Sequence, residues 1–251
     1  IHRRLVGSEM CIRDRANGAD LTVDANDTGD ISVYGVDVDT LETVTLKTSA
    51  SGGAGLLTVG AGGIGNSTRP ANDVTLTAST VTLIGDITTS GTGTGTGAAV
   101  KGDVDINGVV KLDGDVHITT DVTGTANDGT ISIGILAGGG LSTIDAANTG
   151  TNTEALTLLS GSGAITVGEI GTLTNGALDT LDINATGSAA AALTIQQIGL
   201  YGNDNLSSTG TAGVTGAANI GNASTASIDL SDTEFNFGGT TILKAAGDIV
   251  T

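Results

Sequence analysis

Asp103, Asp105 and Asn107, followed by Gly108, reproduce the opening of a calcium loop, D-x-[DN]-x-[DN]-G. Carboxylate and amide oxygens are hard ligands that suit calcium, and a loop that wraps an ion can turn alternate residues onto it. The second half of that loop does not follow. Gly114 stands where the bidentate Glu belongs, although Asp113 and Asp115 are close by. The competing reading is a plain strand, with Val104 and Ile106 inward, Asp103 and Asp105 outward, and a corner at Asn107-Gly108. The calcium-binding nonapeptide pattern G-G-x-G-x-D is not found alongside it. Calcium is thus the one cofactor with a pattern, and Asp103, Asp105 and Asn107 are its candidate ligands.

Other chemistry has less to stand on. Gly60 to Gly65 (GAGGIG) has the G-x-G-x-x-G spacing of a dinucleotide loop, but Asn66 to Pro70 (NSTRP) cannot open the helix that must receive the pyrophosphate. His117 lies between Val116 and Ile118 on an outward strand position, with no second His and no Cys nearby, so a metal finds few ligands there. Polysaccharide lyases and hydrolases need clustered Asp with a basic partner, whereas Arg69 sits beside Pro70 with no adjacent carboxylate. No G-x-S-x-G accompanies His117. The chain is expected to be non-enzymatic, with no catalytic or cofactor-binding residue assigned; a polysaccharide-acting enzyme is the rival.

Composition bounds the elements that must carry these residues. The 251 residues include 41 Gly, two Tyr, two Phe and no Trp, and 38% are hydrophobic, so a core has to be built from Val, Ile, Leu and Ala. Lys and Arg number 9 against 27 Asp and Glu, a formal charge of −18. Without a basic patch to neutralise phosphates, nucleic acid and anionic membrane are excluded as partners. No apolar run approaches the roughly 20 residues of a membrane-spanning helix, so no membrane insertion is expected.

Ile1 to Arg15 (IHRRLVGSEMCIRDR) stands apart, holding four of the nine basic residues, the only Cys, the only Met and one of the two His. Leu5 to Arg15 resembles the in-frame translation of a sequencing-library adapter, so 1–15 is read as a non-native, disordered segment and 16–251 as one repeat domain. On that reading the chain is a fragment of a larger protein. Without the segment, five basic and twenty-five acidic residues remain among 236, a charge of −20, with neither Cys nor Met. A Cys-free acidic chain rich in Gly, Thr, Asp and Asn fits a secreted bacterial protein stabilised by repetition rather than disulfides.

Short alternating runs recur along the whole domain, among them Thr43 to Leu46 (TVTL), Asp73 to Ala78 (DVTLTA), Asp103 to Ile106 (DVDI), Ala155 to Leu159 (ALTLL) and Ala192 to Ile195 (ALTI). Each is four to six residues, β-branched at alternate positions and fenced by Gly, Asn, Asp or Ser, which is a strand-and-turn pattern. The Ala-rich stretch at 188–192 is read as a loop or single turn. Gly-Asp before an aliphatic residue opens strands at Gly29, Gly85, Gly102, Gly114 and Gly247, a repeated corner in which Asp is expected to bond its own backbone. Leu41 to Val59, Leu141 to Leu158 and Leu178 to Ile195 share one layout of strand, polar loop and strand.

Two all-β architectures use such units: a β-solenoid of short strands, or tandem antiparallel sandwiches. Asp103 to Ile118 (DVDI-NG-VVKL-DG-DVHI) carries Asn-Gly and Asp-Gly turns that suit hairpins, yet three short strands with two tight corners also make one triangular rung. Scarce aromatics favour the solenoid, whose narrow interior is filled by stacked aliphatics; uneven unit spacing counts against it. Asp73 to Gly95 (DVTLTASTVTLIGDITTSGTGTG), Ala155 to Gly171 (ALTLLSGSGAITVGEIG) and Leu178 to Gly187 (LDTLDINATG) are similar in style to repetitive exoproteins of the filamentous-haemagglutinin and autotransporter-adhesin type. The resemblance implies a right-handed parallel β-helix stalk, secreted or at the bacterial cell surface, meeting host-cell or matrix glycans and proteins. Calcium-stabilised S-layer or matrix proteins share the composition. Exposed terminal rungs imply end-to-end self-association.

Overall fold

The computed structural model describes residues 10–12, 20–25, 29–38, 42–48, 55–90, 102–121, 128–136, 140–147, 153–172, 176–185, 192–199, 212–230 and 235–251. Among them are nineteen strands and no helix, and all nineteen strand pairings are parallel. The chain is a parallel β-solenoid with three faces, and the sandwich alternative falls. Of the Ala-rich stretch at 188–192, read as a loop or single turn, 188–191 lie outside the described residues, and Ala192 opens the strand Ala192–Ile198. Within the segment read as foreign, Met10–Ile12 is a strand paired with Ile31–Val36.

One rung shows the plan. The first half of Val104–Leu112 pairs with 74–77 and with Ile131–Ile133, while its second half pairs with 80–83 and with Thr143–Ala146. Val116–Thr119 then pairs with Ile87–Thr88 and Ala155–Ser160. Asn107-Gly108 and Asp113-Gly114 are therefore corners of a triangle and not hairpin turns, with Gly108 and Gly114 at φ of +133° and +148° that other residues rarely adopt. The hairpin expectation fails because each strand finds its partner a whole rung away.

Alternation along each strand turns every second residue inward, and register then stacks like upon like. On the first face Leu21, Val44, Val74, Val104, Ile131, Ile165, Leu193, Ile228 and Ile249 align. On the second face the ladder is Ile31, Leu57, Val81, Val110, Ile144, Ile170, Ile198 and Phe235. On the third it is Val36, Ile64, Ile87, Ile118, Leu158, Ile183, Ile220 and Leu243. All but the last residue of each ladder are buried. The core is thus a column of aliphatics, which explains how the chain dispenses with Trp.

Aligned positions on the first face are 21 to 35 residues apart, and corner loops absorb the difference. Between the third and first faces, buried hydroxyls close loops of very different length: Thr89 Oγ1 donates to the Gly102 carbonyl, Thr120 Oγ1 to Gly129 and Ser160 Oγ to Gly163. The chain between the bonded residues runs to 12, 8 and 2 residues. Loop closure costs rise only slowly with length, so the rung keeps its register. The three sequence repeats prove to be corner units and not rungs. Leu41 to Val59 passes from first face to second, Leu141 to Leu158 from second to third, and Leu178 to Ile195 from third to first.

Truncating the third-face ladder by Ile118→Ala or Leu158→Ala is expected to cost about 2–5 kcal/mol, because a rigid stack cannot close the cavity. Thr157→Ala, beside Leu158 on the same strand but outward and opposite His117, should cost about 1 kcal/mol or less. Urea unfolding followed by circular dichroism measures both.

Candidate functional site: carboxylates at the corners

At the head of several strands the parallel ladder leaves a backbone N–H without a carbonyl. Val104 N–H donates to the Thr130 carbonyl, for instance, so the N–H of Thr130 itself lies beyond the first ladder bond. Asp carboxylates fill this gap. Asp103 Oδ1 accepts the Thr130 N–H at 2.7 Å, Asp30 Oδ1 that of Leu56 at 2.8 Å, Asp86 Oδ1 that of His117 at 2.8 Å and Asp115 Oδ1 that of Ala155 at 3.0 Å. These are Asp residues of the Gly-Asp motif, so the motif joins one rung to the next and does not close on its own backbone. Asp20 and Asp73 do the same for Thr43 and Asp103, each at 2.9 Å. Gly85 has a packing role in its corner, since a Cβ there would strike the carbonyl of Gly60.

Asp105 and Asn107 lie on the strand Val104–Leu112 and Asp103 immediately before it, with Val104 and Ile106 buried between them. Alternate residues on a strand are about 7 Å apart and project in parallel, so the strand spreads the three side chains along a line instead of gathering them. Asp103 Oδ1 also accepts the Thr130 hydroxyl at 3.1 Å. Among the described residues, no group of three or more His, Cys, Asp or Glu could hold a metal ion. Asp105 instead joins an outward ladder of Thr22, Thr45, Thr75, Asp105, Ser132, Thr166, Thr194 and Asp229. Partial burial pushes the Asp105 carboxyl above its ordinary range, and the charges of Asp103 and Asp73 add to this. Asp73 is raised too, by burial first and by Asp103 and Asp20 after it, against the opposing Asp103 backbone hydrogen bond. Burial also raises Asp182, which Asn184 partly offsets.

The other sequence candidates scatter over the molecule. His117 is exposed, its Nδ1 3.3 Å from Asp86 Oδ1 on the preceding rung. Gly60 to Gly65 turns from second face to third within and just past Leu56–Ile64, and a tight turn around Asn66 follows where a dinucleotide loop needs a helix. Arg69 does have a carboxylate, Asp37 at 3.2 Å, contrary to the sequence expectation; 32 residues separate them and only stacking brings them together. Lys47 pairs with Asp24 at 3.8 Å and Lys111 with Asp145 at 3.4 Å. Asp145 escaped sequence reasoning entirely. Its side chain is fully buried although it holds an outward register position, because Gly176 closes over it and leaves no room for a Cβ. Glu42 and Glu154, buried at 3% and 1% exposure, gave no sequence signal either.

Compared with known proteins, the chain matches no family model, no curated protein and no solved structure.

The carboxylates make two opposite predictions. Asp103→Ala removes the acceptor for the Thr130 N–H and is expected to cost roughly 1–3 kcal/mol in urea unfolding. Raised native pKa values for Asp73, Asp105 and Asp182 mean that these groups bind protons more tightly folded than unfolded. Their contribution is complete below the ordinary carboxylate range and is lost as pH rises through the raised values. The melting temperature should therefore climb as pH falls from neutral toward that range. Asp105→Asn should raise it at neutral pH and shallow the slope.

Proposed function

We propose that the chain is a structural, adhesive stalk segment of a secreted or surface-displayed bacterial repeat protein, without catalysis. The observation that carries this reading is the outward first-face ladder, in which Thr, Ser and Asp follow one another from Thr22 to Asp229. Such a surface presents hydroxyls and carboxylates at a spacing of about 4.8 Å per rung, suited to repeated weak hydrogen bonds with the sugar hydroxyls of host-cell or matrix glycans. Nine aligned first-face positions make a module about 40 Å long, the kind of element that extends by repetition. The distribution of bases supports the same reading. Lys47, Arg69 and Lys111 are each tied to a separate carboxylate on different parts of the rung, rather than gathered with several Asp as bond cleavage in a polysaccharide needs.

The test uses the chain displayed on cells and in solution. Displayed chain is expected to increase retention of the cells on glycan-coated surfaces relative to the carrier alone, and purified chain to release no new reducing ends or unsaturated products from polysaccharides. Product release that disappears in Lys111→Ala would overturn the stalk reading in favour of an enzyme; retention equal to the carrier's would overturn adhesion.

A further inference from the structure

Asn66-Ser67-Thr68 has the N-x-[ST] sequence of an acceptor for an N-linked sugar. The same pattern starts at Asn26, Asn184, Asn205 and Asn222, as a chain rich in Asn, Ser and Thr makes natural. Asn26 and Asn205 lie outside the described residues. Geometry separates the other three. Asn66, Ser67 and Thr68 are all exposed, on the turn that leaves the third face after Ile64 and rejoins the ladder where Ala71 meets Thr89. Asn66 Oδ1 accepts the N–H of Thr68 at 2.9 Å and that of Arg69 at 3.0 Å, while the Asn66 N–H donates to the Arg69 carbonyl. Of the two ends of the amide only the oxygen accepts, so these bonds fix the side chain with Oδ1 on the turn and Nδ2 directed away from it.

Asn222 makes the same turn, its Oδ1 accepting the N–H of Ser224 and of Thr225, but its nitrogen is committed. Asn222 Nδ2 donates to Asn184 Oδ1 at 3.2 Å and to the Ala185 carbonyl at 3.1 Å, both on the preceding rung. Asn184 Nδ2 in turn donates to Asp182 Oδ1 at 2.7 Å. These two asparagines join rungs, whereas Asn66 uses only its oxygen to shape an exposed corner.

We propose that Asn66 is an acceptor for an N-linked hexose in the folded protein, the sugar coming from a nucleotide-activated donor through a transferase that reads the Thr68 hydroxyl. Asn66 Nδ2 forms a bond to the anomeric carbon. The bond from that carbon to the diphosphate oxygen breaks, its electron pair leaves with the nucleoside diphosphate, and one Nδ2 proton passes to a base of the transferase. The amide carbonyl survives in the product, so both hydrogen bonds of the turn are kept and the sugar projects from the corner. At Asn222 the same step has to draw Nδ2 off two acceptors and leaves it one hydrogen to serve them. The site lies on the corner between the third and first faces, apart from the outward first-face ladder, and stands whether or not the protein is a stalk.

The test incubates the folded full chain with UDP-glucose and a soluble transferase specific for this sequence, and maps the product by mass spectrometry. Hexose is expected at Asn66 about tenfold or more faster than at Asn222, since the latter must first lose its hydrogen bonds, and short peptides carrying each sequence should be modified alike. Thr68→Val keeps the backbone N–H that Asn66 Oδ1 accepts; it should slow modification by about tenfold or more, with an unchanged melting temperature, and Thr68→Ser should restore it. Four results would each overturn the assignment: no hexose at Asn66 in the folded chain, equal rates at Asn66 and Asn222, peptides that show the same preference as the folded chain, or modification indifferent to Thr68→Val.

Discussion

Parallel stacking makes each rung the solution to its neighbour's unsatisfied backbone. A strand in isolation exposes two rows of N–H and C=O groups, and burying them unpaired is costly. Here the N–H groups of inward-facing residues on one rung donate to the carbonyls of the next, from Leu21 to Thr43 through to Leu230 and Val250. The rest depends on that arrangement. It holds inward side chains in columns, which lets Val, Ile and Leu make a dry core without aromatic bulk.

Corners are where the arrangement is under most demand, since the ladder stops and restarts there. Two devices meet it. Carboxylates on one rung accept the leading N–H of the next, and buried hydroxyls of Thr89, Thr120 and Ser160 clamp loops of unequal length to the carbonyls that begin the first face. The first device draws an acidic residue to many corners. This accounts structurally for part of the chain's excess of Asp, and the raised affinity of Asp73 and Asp105 for protons comes first from their partial burial and then from the carboxylates crowded beside them.

The same device bears on chemistry. An Asp that serves as a cap has an oxygen committed to backbone, and its neighbours on the strand point away in parallel, so the carboxylates of the described strands are spread along the rungs. Lys47, Arg69 and Lys111 are apportioned likewise, each to its own carboxylate. Along the first face, the described strands offer outward a ladder of hydroxyls and carboxylates from Thr22 to Asp229, one per rung.

By itself the sequence determined the strands, the aliphatic core and the choice of solenoid over sandwich, since a period of two, Gly and Asp fences and scarce aromatics are local or compositional properties. Val104 and Ile106 inward with Asp103 and Asp105 outward was legible for that reason. Ala218–Ile220 escaped because three residues are too short to show a period. Only the tertiary structure decided what lies beside what. The Arg69 and Asp37 pair, the half-buried Lys111 and Asp145 pair and the partners of the Gly-Asp carboxylates are all set by rung register, at separations of 26 to 40 residues. Loop lengths vary from rung to rung, so no fixed sequence offset encodes those meetings. Repeats that look like rungs turn out to be corners because a strand, a loop and a strand form the same local unit whichever two faces they join.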